Sequence, residues 1–565
     1  MLFACTATSL AAVWWSWRNH AMLNYGDALA HLHIARRVFD SHQPRFSQLG
    51  SVWLPLPHLL MLPFVQVYGW WANGAAALIP SMLAYIFGCL GIYRLARRWM
   101  PPTASALALA FFALNPNLLY LQTTAMTEPL FVCEMIWVAL WMVEWRASLD
   151  ETSAESVPQD SAPGASCSPW FLRRGLDSRT QSPAQRDRTD RLELCIAVAL
   201  LAAIFTRYDG WIMALIAWSG VGITLLRRRK RISIAFWVAS AFLVAAPVVW
   251  FVYNQLSFGD WLEFMRGPYS AKAIEIRTAS HGSGPPHPGW HNPWVSLLFF
   301  VKAAEMDTVA AAWGNSLLAV SLLGTAWAGF TARKRAFLWA LLLWLPLPFY
   351  AYSIAYGSVP IFLPPWWPHS WYNTRYGMEL LPALALGLGF AAHCLLAAFR
   401  EFKPRWSWYL AGAFFALLIV NAEKMVREHP LTYVEGIKNL DSRRALEAQI
   451  PPALKVELAK RPGAVILMET SVFPSLVAQT GIPFRQTINE ADLQIFRDAL
   501  AAPSAHAALV LAFDGDSIDL AVKAHPCGLI RLQRFHAQGQ PAATLYASDP
   551  GAIGLCLSRS ITPQS

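Results

Sequence analysis

The chain has 565 residues, 55% of them hydrophobic and only 14% charged, with 27 Trp and 31 Phe. A soluble globule carries about a quarter charged residues, so this composition excludes one and points to a membrane protein. The formal charge of +10 falls in clusters between apolar runs, the pattern that orients membrane proteins, and gives no reason to invoke a nucleic-acid partner.

The first stretch, "MLFACTATSLAAVWWSW", is apolar but has no basic n-region and no small-residue cleavage site, so it reads as a retained first helix. "NYGDALAHLHIARR" follows at once. Drawn as a helix it sets Asp27, His31 and Ile34 on one face, and it fits a helix lying along the membrane interface. Asp27 either caps that helix or takes a proton from an acceptor hydroxyl or amine. Residues 53–71 are apolar but contain Pro55, Pro57, Pro63 and His58. They read as surface-lying or re-entrant, which makes 27–71 an interfacial region.

Further on, basic clusters stand at Arg94/Arg97/Arg98, from Arg173 to Arg191, at 227–231, at Arg333/Lys334/Arg335 and at Arg400/Lys403/Arg405. Each is assigned to the cytoplasm. The helices between them are then 77–95, 104–122, 129–146, 192–206, 210–226, 232–254, 313–331, 336–356, 378–399 and 406–421. With the first helix these make eleven, which leaves the C-terminus outside. The Ser- and Pro-rich insert at about 150–190 reads as a disordered cytoplasmic loop, and 255–312 as a large outer loop. From 422 short apolar strands appear in "GAVILMETS", "AALVLAFDGDS" and "LIRLQRFHAQGQPAATLYAS". The expected fold is a polytopic α-helical membrane protein of about 11 transmembrane helices over 1–421, with a small extracytoplasmic α/β domain over 422–565. Cys527 and Cys556 in that domain are able to pair in an oxidising compartment.

On this map the polar residues gather in the outer loops. Glu128 lies in "TTAMTEPLF", Arg207, Tyr208 and Asp209 in "FTRYDGW", Lys272 in the large loop, and Arg375 and Tyr376 in "WYNTRYGMELLP". Ionisable residues at membrane depth are costly and default to function. Asp27, Glu128 and Asp209 are the catalytic candidates, with His31, Arg36, Arg207, Tyr208, Lys272, Arg375 and Tyr376 for substrate. An Arg207–Asp209 structural ion pair is the plainer reading of that turn. No phosphate-binding glycine loop is present, so a donor delivered within the membrane, such as a polyprenyl-phosphate sugar, suits the outer site. Its phosphate needs Arg or Lys to meet developing charge. The metal is unknown: Asp27 with Glu128 or Asp209 is one possible divalent-cation site, and His281, His287 and His291 in "HGSGPPHPGWHNPW" lack tight ligand spacing.

The acidic residue after the first helix, the Pro-rich "WLPLPHLL", "LIPSMLAYIFGCLGIYRLARRW" and the late "NTRYGMELLPALALGLG" resemble the glycosyltransferase C superfamily. Within it the chain looks like the protein O-mannosyltransferase and lipid A aminoarabinose transferase branch, over roughly residues 20–400 by order of features. The resemblance implies a polyprenyl- or dolichyl-phosphate sugar donor, an extracytoplasmic active site, and Asp27 as base or acceptor-positioning group. A lipid, glycan or protein is the implied acceptor. The mannosyltransferases often carry two adjacent acids here, whereas Ala28 follows Asp27. "DALAHLHIARR" is also similar to the D-x-x-x-H loop of oligosaccharyltransferases, but "PPWWPHSWYN" shares only the paired Trp of their acceptor motif. A transporter or lipid flippase is the competing class. It calls for charges at mid-helix and inverted repeats, whereas here the charges lie at helix ends. A third reading is a scaffold whose tail recruits partners.

Overall fold

The computed structural model describes residues 1–154, 183–228, 232–278, 285–331, 336–403 and 406–549. Most of the insert expected at 150–190 lies outside them, as do His281, Arg333 to Arg335 and Cys556. Its flanks, 150–154 and 183–190, continue the neighbouring helices.

Helix α1 (Leu2–Arg18) is followed by α2 (Gly26–Arg37), α3 (Leu56–Val65) and α4 (Tyr68–Asn73), the last three being the short elements of the interfacial region. Then come α5 (Leu78–Ala96), α6 (Pro102–Ala113) and α7 (Pro116–Leu121). The single helix expected over 104–122 is broken because Asn115 caps α7 by accepting from the Leu118 amide and Pro116 cannot continue α6. Helices α8 (Glu128–Ala154), α9 (Pro183–Thr206), α10 (Asp209–Arg227) and α11 (Ile234–Phe258) follow. The stretch 255–312 is largely helical where a loop is expected: α12 (Glu263–Arg266), α13 (Ala271–Thr278) and α14 (Pro293–Thr308). Phe299, Phe300, Ala303 and Ala304 bury α14 in the bundle. Helices α15 (Asn315–Thr331), α16 (Phe337–Ala340), α17 (Pro346–Tyr356), α18 (Leu381–Phe402), α19 (Trp406–Arg427) and α20 (Leu431–Lys460) follow and lead into the tail.

Among the described residues six helical stretches are long and apolar enough to cross a membrane: Ala75–Ala96, Asp209–Arg227, Ile234–Phe258, Phe337–Tyr356, Thr374–Glu401 and Trp406–Lys460. The count of eleven is therefore not reached by length and composition. Helices α1 and α15 have 17 residues each, short of the roughly 20 that a bilayer core asks for, and α8 and α9 carry charged ends.

After α20 the chain builds one five-stranded sheet, in the order β2–β1–β3–β5–β4. Strands β1 (Ile466–Met468), β2 (Thr487–Ile488) and β3 (Leu509–Phe513) run parallel. The hairpin of β4 (Leu529–Phe535) and β5 (Ala543–Ser548) adds antiparallel to β3. The fully buried apolar runs of β1 and β3 are what a strand covered on both faces requires. Helix α20 joins sheet and bundle: Leu446, Ile450 and Leu454 enter the core at its tail end, while its first turns reach the helices.

Candidate functional site

Five parts of the chain deliver charge to one place. Asp27 stands in the first turn of α2, Glu128 opens α8, and Arg207 sits in the turn between α9 and α10. Arg375 and Glu379 come from the 3₁₀ turn Thr374–Leu380 that leads into α18, and Glu435 from the start of α20. That 3₁₀ turn packs directly on α14. A Cβ at Gly377 would lie 2.5 Å from the backbone of Ala303, so the absence of a side chain there seats Arg375 on the buried helix.

Arg375 divides its guanidinium among three carboxylates. Nη2 is 2.6 Å from Asp27 Oδ2, Nε 3.1 Å from Glu128 Oε1 and Nη1 3.0 Å from Glu435 Oε1. Arg207 does the same with its own three carboxylates. Its Nη2 donates to the Tyr350 hydroxyl at 2.7 Å and lies 3.0 Å from Glu379 Oε1. Its Nη1 is 3.4 Å from Glu128 and 3.2 Å from the Thr127 hydroxyl, and its Nε is 3.4 Å from Asp209. Glu128 thus bridges the two arginines. The Tyr376 ring lies between them, 5.0 Å from Arg207 and 5.1 Å from Arg375.

Five carboxyl groups therefore face two guanidinium groups. Glu128, Glu379 and Glu435 are buried, whereas the Asp27 side chain is 43% exposed. It is the one acid of the cluster that an incoming molecule meets. Asp27 does not cap α2: the N-cap position is Tyr25, with no side-chain cap, and the carboxylate is engaged with Arg375 instead.

The structure thus brings together Asp27, Glu128, Asp209, Arg207, Arg375 and Tyr376. Other sequence candidates lie elsewhere. His31 is buried against Trp53, its Nδ1 2.8 Å from His58 Nε2. Burial, and then the charges of Arg375 and Arg207, drive its pKa down to about 3. Arg36 donates to the carbonyls of Val65 and Gln66 and pairs with Asp40, tying α2 to α3. Tyr208 donates to the Val52 carbonyl and stacks on Phe264. Lys272 is exposed on α13 and makes no ion pair among the described residues. His287 faces Glu275 at 3.2 Å, and among the described residues no group of three His, Cys, Asp or Glu is arranged to hold a metal ion.

Sequence reasoning missed Glu379, Tyr350 and Glu435. Glu379 was in view as a carboxylate in the same "NTRYGMELLP" stretch as Arg375. Glu435 carries no such signal. It also accepts from the Thr374 hydroxyl at 2.6 Å and from the Tyr25 hydroxyl at 3.3 Å, contacts that only the fold creates.

The fold is one found among solved structures. Two crystal structures of ArnT from Cupriavidus metallidurans share it. The one bound to undecaprenyl phosphate superposes with a TM-score of 0.52 at 15% identity, covering 95% of this chain and 97% of that one. The apo form gives 0.51 at 14% identity, with the same coverage. The oligosaccharyltransferase AglB from Archaeoglobus fulgidus, in complex with an inhibitory peptide and a dolichol-phosphate, aligns at 11% identity and a TM-score of 0.42, over 97% of this chain and 74% of its own. No protein-family model and no curated protein matches the chain.

Proposed function

We propose that this protein is a membrane glycosyltransferase that moves a sugar from a polyprenyl-phosphate donor to an acceptor on the extracytoplasmic face. The observation that carries the reading is the half-exposed Asp27 held 2.6 Å from a buried arginine on a scaffold shared with ArnT. The eleven spans and the outward-facing tail drawn from the charge clusters belong to this proposal, as does the multi-pass placement in the cell membrane. A lipid, glycan or protein is the acceptor class, and a divalent cation is an optional addition.

In the reaction the acceptor oxygen or nitrogen attacks the anomeric carbon. The bond from that carbon to the phosphate oxygen breaks, polyprenyl phosphate leaves with the electron pair, and the acceptor proton passes to Asp27. Asp27 and Arg375 are coupled in this step. Once Asp27 is neutralised, its claim on Arg375 Nη2 weakens as the leaving phosphate gains charge, so a guanidinium donor becomes available when it is needed. Glu128 and Asp209 hold Arg207 and Arg375 in place.

The test is transfer from a radiolabelled polyprenyl-phosphate sugar by purified protein. Asp27→Asn keeps the shape and removes the base, so transfer should fall by roughly 10²–10⁴-fold while the variant still binds polyprenyl phosphate. Unchanged transfer by Asp27→Asn would remove the assignment. Failure of the wild type across a panel of donor sugars would remove the function.

A further inference from the structure

We infer that Lys438, on the tail helix α20, is the cation that holds the donor phosphate before reaction; this rests on the glycosyl-transfer reading above. A resting-state phosphate site needs positive charge that is not already neutralised. Arg207 and Arg375 do not offer it, since between them they face Asp27, Glu128, Asp209, Glu379 and Glu435. Until Asp27 is protonated, the field around this pair is set by an excess of carboxylates, and an anion is repelled from it.

Lys438 is a cation beside this cluster that lacks a carboxylate among the described residues. It is exposed and forms no ion pair among the described residues, and its Nζ lies over the Trp371 ring, 5.4 Å from the centroid. Its turn of α20 is bound to the turn that presents Asp27. Three residues before it, Glu435 holds Arg375 at 3.0 Å, and one residue after it, the Asn439 side chain accepts from the Gly26 amide at 2.6 Å. Positions 435, 438 and 439 share one side of a helix by the i, i+3, i+4 rule. Lys438 therefore projects beside the residues that flank Asp27. On the other side, Tyr372 follows Trp371 directly, and burial, then the Asp27 charge, raise its phenol. Trp371 and Lys438 thus form an indole–ammonium rim beside the half-exposed carboxylate. An ammonium on a flexible stem binds phosphate as a point charge, and stacking on an indole orients it without cancelling its charge. Lys272 stands exposed on α13 and Arg36 is tied to α3 and Asp40, and neither has such a link to Asp27.

The experiment measures binding of a fluorescent polyprenyl phosphate lacking sugar to the full-length protein in detergent, over a range of salt. Lys438→Gln should weaken binding by roughly tenfold or more and flatten its salt dependence, and Lys438→Arg should keep most of the affinity. Lys438→Met keeps an aliphatic stem over Trp371, so equal loss with Met assigns the effect to charge; melting temperatures near wild type verify folding. Lys455→Gln, exposed further along the same helix, should bind as wild type. In transfer assays Lys438→Met should raise the donor KM far more than it lowers kcat. Wild-type affinity and salt dependence in Lys438→Gln would overturn the inference while leaving the glycosyl-transfer reading intact. A wild type that binds no polyprenyl phosphate would remove both.

Discussion

Glu435 acts on Asp27 through Arg375, and the two carboxylates compete for one guanidinium. Glu435→Gln keeps an oxygen for Thr374 and Tyr25 but withdraws its charge, which leaves Arg375 more fully committed to Asp27. Asp27 is then held more tightly and gives up Arg375 less readily. Transfer should drop by about 10–100-fold, equivalent to roughly 1.4–2.7 kcal/mol, with a melting temperature near wild type. An unchanged rate would show that the two carboxylates do not share Arg375. Arg375→Lys makes a harsher test of the same network. A single ammonium cannot reproduce three donors fixed in a plane, and breaking buried pairs costs about 3–5 kcal/mol. Transfer should be lost and the melting temperature should fall, whereas a near-normal rate would show that the fork is not used.

At the scale of elements, α18 carries the arginine turn and is held by α15 through backbone contact. A Cβ on Gly387 would stand 2.2 Å from the Ser321 carbonyl, and one on Gly324 2.1 Å from the Gly387 carbonyl. Gly387→Val must push the helices apart, at about 1–3 kcal/mol for overpacking, and the detergent melting temperature should drop by several degrees. An unchanged melting temperature would show the two helices free to slide. These contacts explain what the sequence could and could not reveal. Helix positions were legible because apolar runs and their basic flanks are local, and "FTRYDGW" and "NTRYGMELLP" announced Arg207 and Arg375 because ionisable residues at helix ends are conspicuous. Helix α14 escapes a hydropathy reading because its 16 residues mix Phe299, Phe300 and Lys302 with Glu305 and Asp307, a pattern set by burial against protein rather than lipid. Glu435 was invisible for a different reason: it belongs to a helix of ordinary charged composition, and its value comes from contacts with Arg375, Thr374 and Tyr25, some 60 to 410 positions away.

Over the whole molecule, the tail is attached to the bundle through α20 and also along a seam where Phe484 packs edge-on to His33 of α2, with ring centroids 5.0 Å apart, and against Trp71 of α4 at 5.6 Å. His33 is buried, with its Nε2 lacking a hydrogen-bond partner among the described residues, so burial, and then the Arg37 charge, drive its pKa down to about 3. The sign follows from linkage. Above the ordinary histidine value of about 6.5 the ring is neutral with the seam closed or open, and pH has no effect. As pH falls from there toward 3, an opened seam gains a proton that the closed one refuses, so closure loses stability across that window. Asp516, the N-cap residue of the tail helix that follows β3, works in the opposite direction: burial raises its carboxyl to about 7, and acidification stabilises its surroundings. Hydrogen exchange therefore separates the two. Between pH 7 and pH 5, after correction for intrinsic rates, amides of α2 and of 484–488 should become less protected while those around Asp516 hold or gain protection. His33→Phe preserves an aromatic ring in the seam and removes the titration, so it should abolish the loss in α2. Because Asp27 stands in the first turn of α2, the same opening should loosen the carboxylate's hold on Arg375, and wild-type transfer should fall more steeply in acid than transfer by His33→Phe. Identical acid limbs for the two proteins would show that the seam does not reach the site.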